Sequence, residues 1–292
     1  MSFEIAPIDG QFAFEVRGLD LWRPLAQDIV DTLEAAWSSH GVLVFRRQAL
    51  SEDELVEFSG RFGEPDRIVR SDWAASHPAV IQISNMKNAE GRSIGGLGSG
   101  ELGWHTDQSY VADPATGSVL YMVEMPRDNA NTYWANLHLA YEALPAATKR
   151  RIEGLRAVYD YVRRQSTYDD EKPMSEELRR RTPPVAHPLV NTHPSTGRKS
   201  LYLDPTTTVG IDGLPEDEGA ALLDELNRHA TRPEFVYTHR WQIGDLVMWD
   251  NGFLLHRRDP FDPRQNRLLK RTTIRLSPER HIVPATVTPT AA

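Results

Sequence analysis

Apolar and polar residues alternate through "FAFEVRGLDL", the pattern of a strand with one face buried. The period then changes. From Ala26 to Ser39, Ile29, Leu33 and Trp37 recur at helical spacing, which predicts a helix. "GVLVFRRQ" is rich in Val and Phe and reads as a buried strand. In "SEDELVEFSGRFGEP", Ser51 and Glu54 have the spacing of a capping box, and Pro65 follows the end of the helix they start. "AVIQISNM", "SVLYMVEM" and "NTYWANL" predict further strands. "AYEALPAATKRRIEGL" is helical around Pro145, and "RAVYDYV" returns to β. Later come "KSLYLD", a helix over Glu216 to Ala230, and the strands "FVYTHRW", "GDLVMWDN", "FLLHRR" and "LLKRTTIRL". Many short strands with a few helices outside them predict a mainly β, α+β protein built on a sandwich or jelly roll. No repeat, linker or shift in composition divides residues 1–292, so one domain is expected.

Two segments interrupt this pattern. Residues 163–186, "RRQSTYDDEKPMSEELRRRTPPVA", are polar, charged and marked by proline, the profile of a surface excursion or lid. Residues 283–292, "VPATVTPTAA", read as a flexible tail. A net charge of −8 argues against a general nucleic-acid or anionic-membrane binder, since both need a basic footprint. Local basic clusters at "RRRTPP" and "RQNRLLKR" still suit a small anionic ligand. Cysteine is absent, so any metal must sit on His and carboxylate. The opening "MSFEIAPIDGQF" has neither a basic nor an apolar leader, and no run is long enough to span a bilayer, so a cytoplasmic protein is expected.

The candidate chemistry begins in "GELGWHTDQSYV", residues 100–111, where His105 stands two positions before Asp107. On a strand such a pair shares one face, as two ligands of one metal or as a surface pair. Two His and one carboxylate on one face are what a mononuclear iron(II) site needs. Most of the ten histidines have simpler readings. His187 and His193 precede prolines, and His40 and His229 close helices; His77, His138, His239 and His281 show no partner pattern. His256 ends "GDLVMWDNGFLLH", read as a tight buried hairpin, where an imidazole needs a polar partner or a metal.

"WHTD" followed far downstream by "WDN…H" and "R…R" resembles the taurine dioxygenase and 2,4-dichlorophenoxyacetate dioxygenase family, iron(II)- and 2-oxoglutarate-dependent oxygenases on a double-stranded β-helix (jelly-roll) core. Thr132 stands 25 residues after Asp107, Arg267 stands 11 after His256, and Arg271 four beyond that, all at the family spacing. "GLDLWRPL", "RFGEP", "AYEALP", "HPLVNTHPSTGRKSLYL" and "RWQIGDLVMWDN" extend the likeness from about residue 5 to residue 277. The resemblance implies that His105, Asp107 and His256 ligate Fe(2+) and carry the catalysis. It implies that 2-oxoglutarate chelates the iron at one end while Arg267 and the Thr132 hydroxyl hold its far carboxylate. Succinate and CO2 would leave as O2 oxidises a small substrate by hydroxylation, desaturation or cleavage. Asp107 disfavours halogenation, because related halogenases lack that carboxylate. Trp104 and Trp249 are expected as walls beside the metal. The assembly expected is a homodimer or homotetramer. A cupin-like metal isomerase or hydrolase, or a non-catalytic jelly-roll binding module, remain as alternatives.

For the substrate, Arg271 is the expected anchor of an anionic group. In an uninterrupted strand it would face the same side as Arg267, about 13 Å away at Cα. The chain departs from the taurine enzyme at two pocket positions, with Ile68 in place of a His and Glu101 in place of an Asn. Both are candidate substrate contacts, and taurine is not the expected substrate.

Overall fold

The computed structural model describes residues 3–8, 12–66, 75–127, 130–165 and 176–290. After β1 (Glu4–Pro7) and β2 (Ala13–Arg17), the first amphipathic stretch forms α1 (Gln27–His40), one residue later at each end than its spacing predicts. Val30, Leu33 and Trp37 make its buried face, and Gly41 ends it at a φ of 85°. After β3 (Val42–Phe45), the capping box starts α2 (Glu52–Gly60): Glu54 N donates to Ser51 Oγ at 3.2 Å, and Ser51 N donates to the Glu54 carboxylate at 2.7 Å. Next come β4 (Glu64–Pro65), β5 (Ile81–Ser84), β6 (Leu102–His105), β7 (Gly117–Glu124) and β8 (Thr132–Asn136). Pro145 divides the following helical stretch into α3 (Leu137–Ala143) and α4 (Ala146–Ile152), because the residue before a proline is pushed out of the helical region. Then follow β9 (Arg156–Tyr159), α5 (Tyr161–Gln165), α6 (Glu176–Arg181), β10 (Val185–Pro188), β11 (Val190–Thr192), β12 (Lys199–Leu201) and β13 (Thr208–Ile211). The chain finishes through α7 (Glu216–Ala230), β14 (Val236–His239), β15 (Leu246–Asp250), β16 (Leu254–Arg258) and β17 (Leu268–Arg275).

Two sheets face one another. The larger runs β1-β2-β3-β15-β7-β17-β4, with β5 also on β17; the smaller runs β14-β8-β16-β6. Between them Val42, Val44, Leu120 and Met122 meet Trp134, Tyr237 and Leu254. On the outer face of the large sheet, Leu43 and Phe45 pack under Leu33 and Trp37 of α1 and Leu55 and Phe58 of α2. Covered on both faces, β3 has no polar alternation, which is why it reads as a continuous apolar run. The far side of the small sheet is closed by Leu222 and Leu226 of α7 and by Tyr159 and Val185 of β9 and β10, packed with Ala135 and Leu255.

Three expectations are corrected. "GDLVMWDNGFLLH" is not a hairpin. β15 pairs with β3 and β7, whereas β16 pairs with β6 and β8, so the Asp-Asn-Gly corner carries the chain from one sheet to the other. The surface excursion expected over residues 163–186 does not extend to its last two residues. Residues 166–175 lie outside the described residues, but Val185 and Ala186 belong to β10 and pair with Tyr159 and Val158. Residues 283–290 are pinned rather than loose: Ala186 and Val287 exchange backbone hydrogen bonds, and Thr290 N donates to Asp212 at 3.0 Å. Residues 291 and 292 lie outside the described residues.

Candidate metal centre

His105 ends β6, and His256 lies in the middle of β16 directly opposite it, with the ring centroids 4.0 Å apart. Asp107 is not on the strand. Its backbone has turned out of β6, so the shared-face argument fails in detail while the side chains still converge. Donor atoms of His105, Asp107 and His256 lie within 4.8 Å of one another, and all three residues are buried. His105 Nδ1 donates to the Gly103 carbonyl at 2.7 Å, which leaves the Nε2 lone pair for a metal. Burial lowers the pKa of both imidazoles, keeping them in the neutral form that can ligate. Burial alone would raise Asp107, but the Arg271 guanidinium outweighs it, and the carboxyl lies below its usual range.

The turn carrying Asp107 is held from the other sheet. Asn251 Oδ1 accepts from Asp107 N at 3.3 Å and from Trp249 Nε1 at 2.9 Å, and Thr106 Oγ1 donates to the Asn251 carbonyl at 3.0 Å. Asn251 Nδ2 donates to Ser118 Oγ, which donates to Asp107 Oδ2, each at 3.0 Å. Asn251 and Ser118 were not singled out in the sequence. The "WDN" run carried the signal for Asn251, but as a turn residue.

A cavity opens beside the triad. His105, His256, Thr132, Trp249 and the arginines 257, 258, 267 and 271 line it together with Ile83, Leu97, Leu102 and Leu120. Arg267 is buried, and its backbone is fixed by Ser84 and Asn85. Among the described residues its guanidinium meets no carboxylate, and Nε lacks a hydrogen-bond partner; it lies over the Phe261 ring at 5.7 Å. Burial, and then Arg258, hold its pKa well below the ordinary range, the sign of a cation short of an anion. Thr132 Oγ1 accepts from Trp241 Nε1 at 2.9 Å.

Arg271 departs from expectation. Its Nη1 donates to both carboxylate oxygens of Asp107, at 2.9 and 3.0 Å, instead of standing open for a substrate anion. A carboxylate buried this deeply needs a cation, and Arg271 supplies one. Glu101 is exposed at the rim, 3.9 Å from Arg257, and does not line the cavity. Ile68 lies outside the described residues. Trp249 is a wall as expected, 5.0 Å from His256, whereas Trp104 sits to the side under Arg257.

Residues 4–273 match the model of the taurine catabolism dioxygenase TauD, TfdA family. The chain belongs to that family. It is 35% identical over 283 residues, covering 94% of this chain and 98% of the relative, to the alpha-ketoglutarate-dependent 2,4-dichlorophenoxyacetate dioxygenase of Cupriavidus pinatubonensis. It is 31% identical to the pentalenolactone F synthase of Streptomyces arenae, over 91% of this chain and 93% of that one. Among solved structures it is similar to AAD-2 in complex with Mn(II) and N-oxalylglycine, with a TM-score of 0.81 and 33% identity over 97% of this chain and 100% of that one. As in other TauD/TfdA proteins, the core is a jelly roll.

Proposed function

We propose that the chain oxidises a small anionic organic molecule, with His105, Asp107 and His256 holding iron(II) and Arg267 with Thr132 holding the far carboxylate of 2-oxoglutarate. By its family the chain is an iron(II)- and 2-oxoglutarate-dependent dioxygenase that acts on a small organic substrate. The observation that carries the residue assignments is a cavity lined by both histidines of the buried His-Asp-His cluster and by a buried guanidinium that meets no carboxylate among the described residues.

Two neutral imidazoles and one ionised carboxylate suit a divalent iron and leave its other positions to exchangeable ligands. When bound, iron(II) with 2-oxoglutarate and O2 supplies the oxidising power for attack on a substrate C–H bond, with succinate and CO2 as co-products. The remaining work falls to the chain. Arg271 fixes both oxygens of Asp107 and so sets the carboxylate's angle. Arg267 pairs with the far carboxylate of the keto acid and aligns it along the cavity. Ile83, Leu97, Leu102, Leu120 and Trp249 keep water from the walls.

Four arginines line the cavity; Arg271 pairs with Asp107 and Arg257 with Asp259, while Arg267 meets no carboxylate among the described residues. That basic lining supports an anionic substrate, and the sequence departure at Glu101, outside the cavity at its rim, is the ground for one other than taurine. The alternatives fit less well: an isomerase or hydrolase has no use for Arg267, and a binding module none for the triad. A homodimer or homotetramer and a cytoplasmic location complete the proposal, and sedimentation and cell fractionation test them. The central experiment is anaerobic addition of iron(II) and 2-oxoglutarate, which should give the visible charge-transfer band of a keto-acid chelate. A folded protein without that band would overturn the assignment. A succinate-release screen over small anions then identifies the substrate, and a strictly uncharged one would refute the charge argument.

A further inference from the structure

A second cluster of metal-binding side chains lies away from the iron site. Donor atoms of His193, Asp250 and His281 fall within 4.8 Å of one another, and all three residues are buried. His193 is fully buried, and neither of its ring nitrogens has a hydrogen-bond partner among the described residues. A buried imidazole with both nitrogens unsatisfied is costly and calls for a partner. His281 presents Nδ1 to Asp250 Oδ2 at 2.9 Å and Nε2 to Glu34 Oε1 at 3.2 Å. Nε2–H donates to Glu34, the carboxylate–histidine pairing that orients metal-bound imidazoles, and Nδ1 becomes the ligating nitrogen once a metal displaces its proton. The other Asp250 oxygen accepts from Gly252 N at 2.7 Å, so that carboxylate is fixed in place.

We propose that His193, Asp250 and His281 form a second divalent-metal site, selective for zinc-like ions and structural in role. Two nitrogens and one carboxylate favour Zn2+ or Co2+ over Mg2+ or Ca2+, which prefer all-oxygen sites. Around zinc, at bond lengths near 2 Å, donors stand roughly 3.3 Å apart, so modest side-chain rotation closes the cluster. Glu34, which His281 contacts, also lines a surface cavity with Ser195 and Arg280. The ion would tie β15 to the turn after β11 and to the segment beyond β17, with α1 joined through Glu34. Asp250 directly precedes Asn251, the residue that holds the Asp107 turn, so the two sites share one corner of the chain.

Both ring nitrogens of His281 face carboxylates and so carry protons, and the incoming dication displaces the one on Nδ1 to solvent, with no change in oxidation state.

The test is metal stoichiometry on the full-length chain, stripped with chelator and titrated with Zn2+ and Co2+. Wild type should bind two ions, His256→Ala should keep one, and His193→Ala should keep the other. Zinc binding to His256→Ala should release about one proton per ion and raise the melting temperature. A single ion in wild type that is lost altogether in His256→Ala would overturn the proposal. So would retention of both ions in His193→Ala. If His193→Ala does not fold, anomalous diffraction at the zinc edge from zinc-soaked wild-type crystals decides. A peak between His193 and His281 supports the site, and a peak at His256 alone refutes it.

Discussion

Arg267 and Arg271 stand four residues apart and meet opposite electrostatic needs. Arg267 is a buried cation that meets no carboxylate among the described residues, so removing it should act on the keto acid alone. Arg267→Ala is expected to weaken 2-oxoglutarate by about 2–5 kcal/mol, as for other buried charge pairs. Steady-state kinetics check this, and an equal loss in substrate affinity would contradict the role. Arg271 already has its anion in Asp107. Arg271→Ala should therefore lower metal affinity by about 10- to 100-fold, readable by Mn(II) titration. Unchanged metal affinity with a raised KM for substrate would restore Arg271 to the substrate. For the triad itself, His105→Ala, Asp107→Ala or His256→Ala should each abolish succinate production in a folded protein. The spacing of the triad, Thr132 and both arginines was legible in the sequence. The partner of Arg271 was not, because hydrogen-bond pairing depends on where β17 lies against the Asp107 turn.

At the scale of elements, local signals did most of the work where they were self-contained. The Ser51–Glu54 box forms as its spacing predicts, and Ser51→Ala should cost about 1 kcal/mol in urea unfolding. α7 runs from Glu216 to Ala230, the span its periodicity predicts. Gly41 shows what a local reading misses. Its φ of 85° is the turn at the end of α1, but a Cβ there would also lie 2.6 Å from the Phe253 ring, which arrives from the sheet crossing. Gly41→Ala should destabilise by more than the 1–2 kcal/mol typical of the left-handed conformation alone. A loss within that range would mean the Phe253 ring moves aside.

For the whole molecule, buried neutral histidines set the response to acid. Burial lowers His138 and His187 to about 4, against 6.5 in an unfolded chain. Above pH 6.5 both are neutral in either state, and their contribution to stability is complete. Between pH 6.5 and 4 the unfolded chain takes up protons that the folded chain refuses, so stability falls as pH falls. Below 4 these two groups add no further loss. Urea midpoints should drop over that window, and less steeply in a His138→Asn, His187→Gln double variant. An equal slope in that variant would assign the acid response to other groups.

The sequence by itself determined the strand-rich class, most element positions, and the residue types and spacings of the triad, because hydrophobic period, caps and turn residues act over a few neighbours. Only the tertiary structure decided which strands face each other. The Asp-Asn-Gly corner reads as a hairpin from sequence, but the chain crosses between sheets there, since the apolar faces of β15 and β16 are buried in different sheets. That crossing sets Asn251 against the Asp107 turn and brings Asp250 to His193 and His281. The pairing of His281 with Glu34 spans 247 positions of chain. No local pattern encodes such a contact, because it exists only once α1 and the segment after β17 have packed against the same sheet.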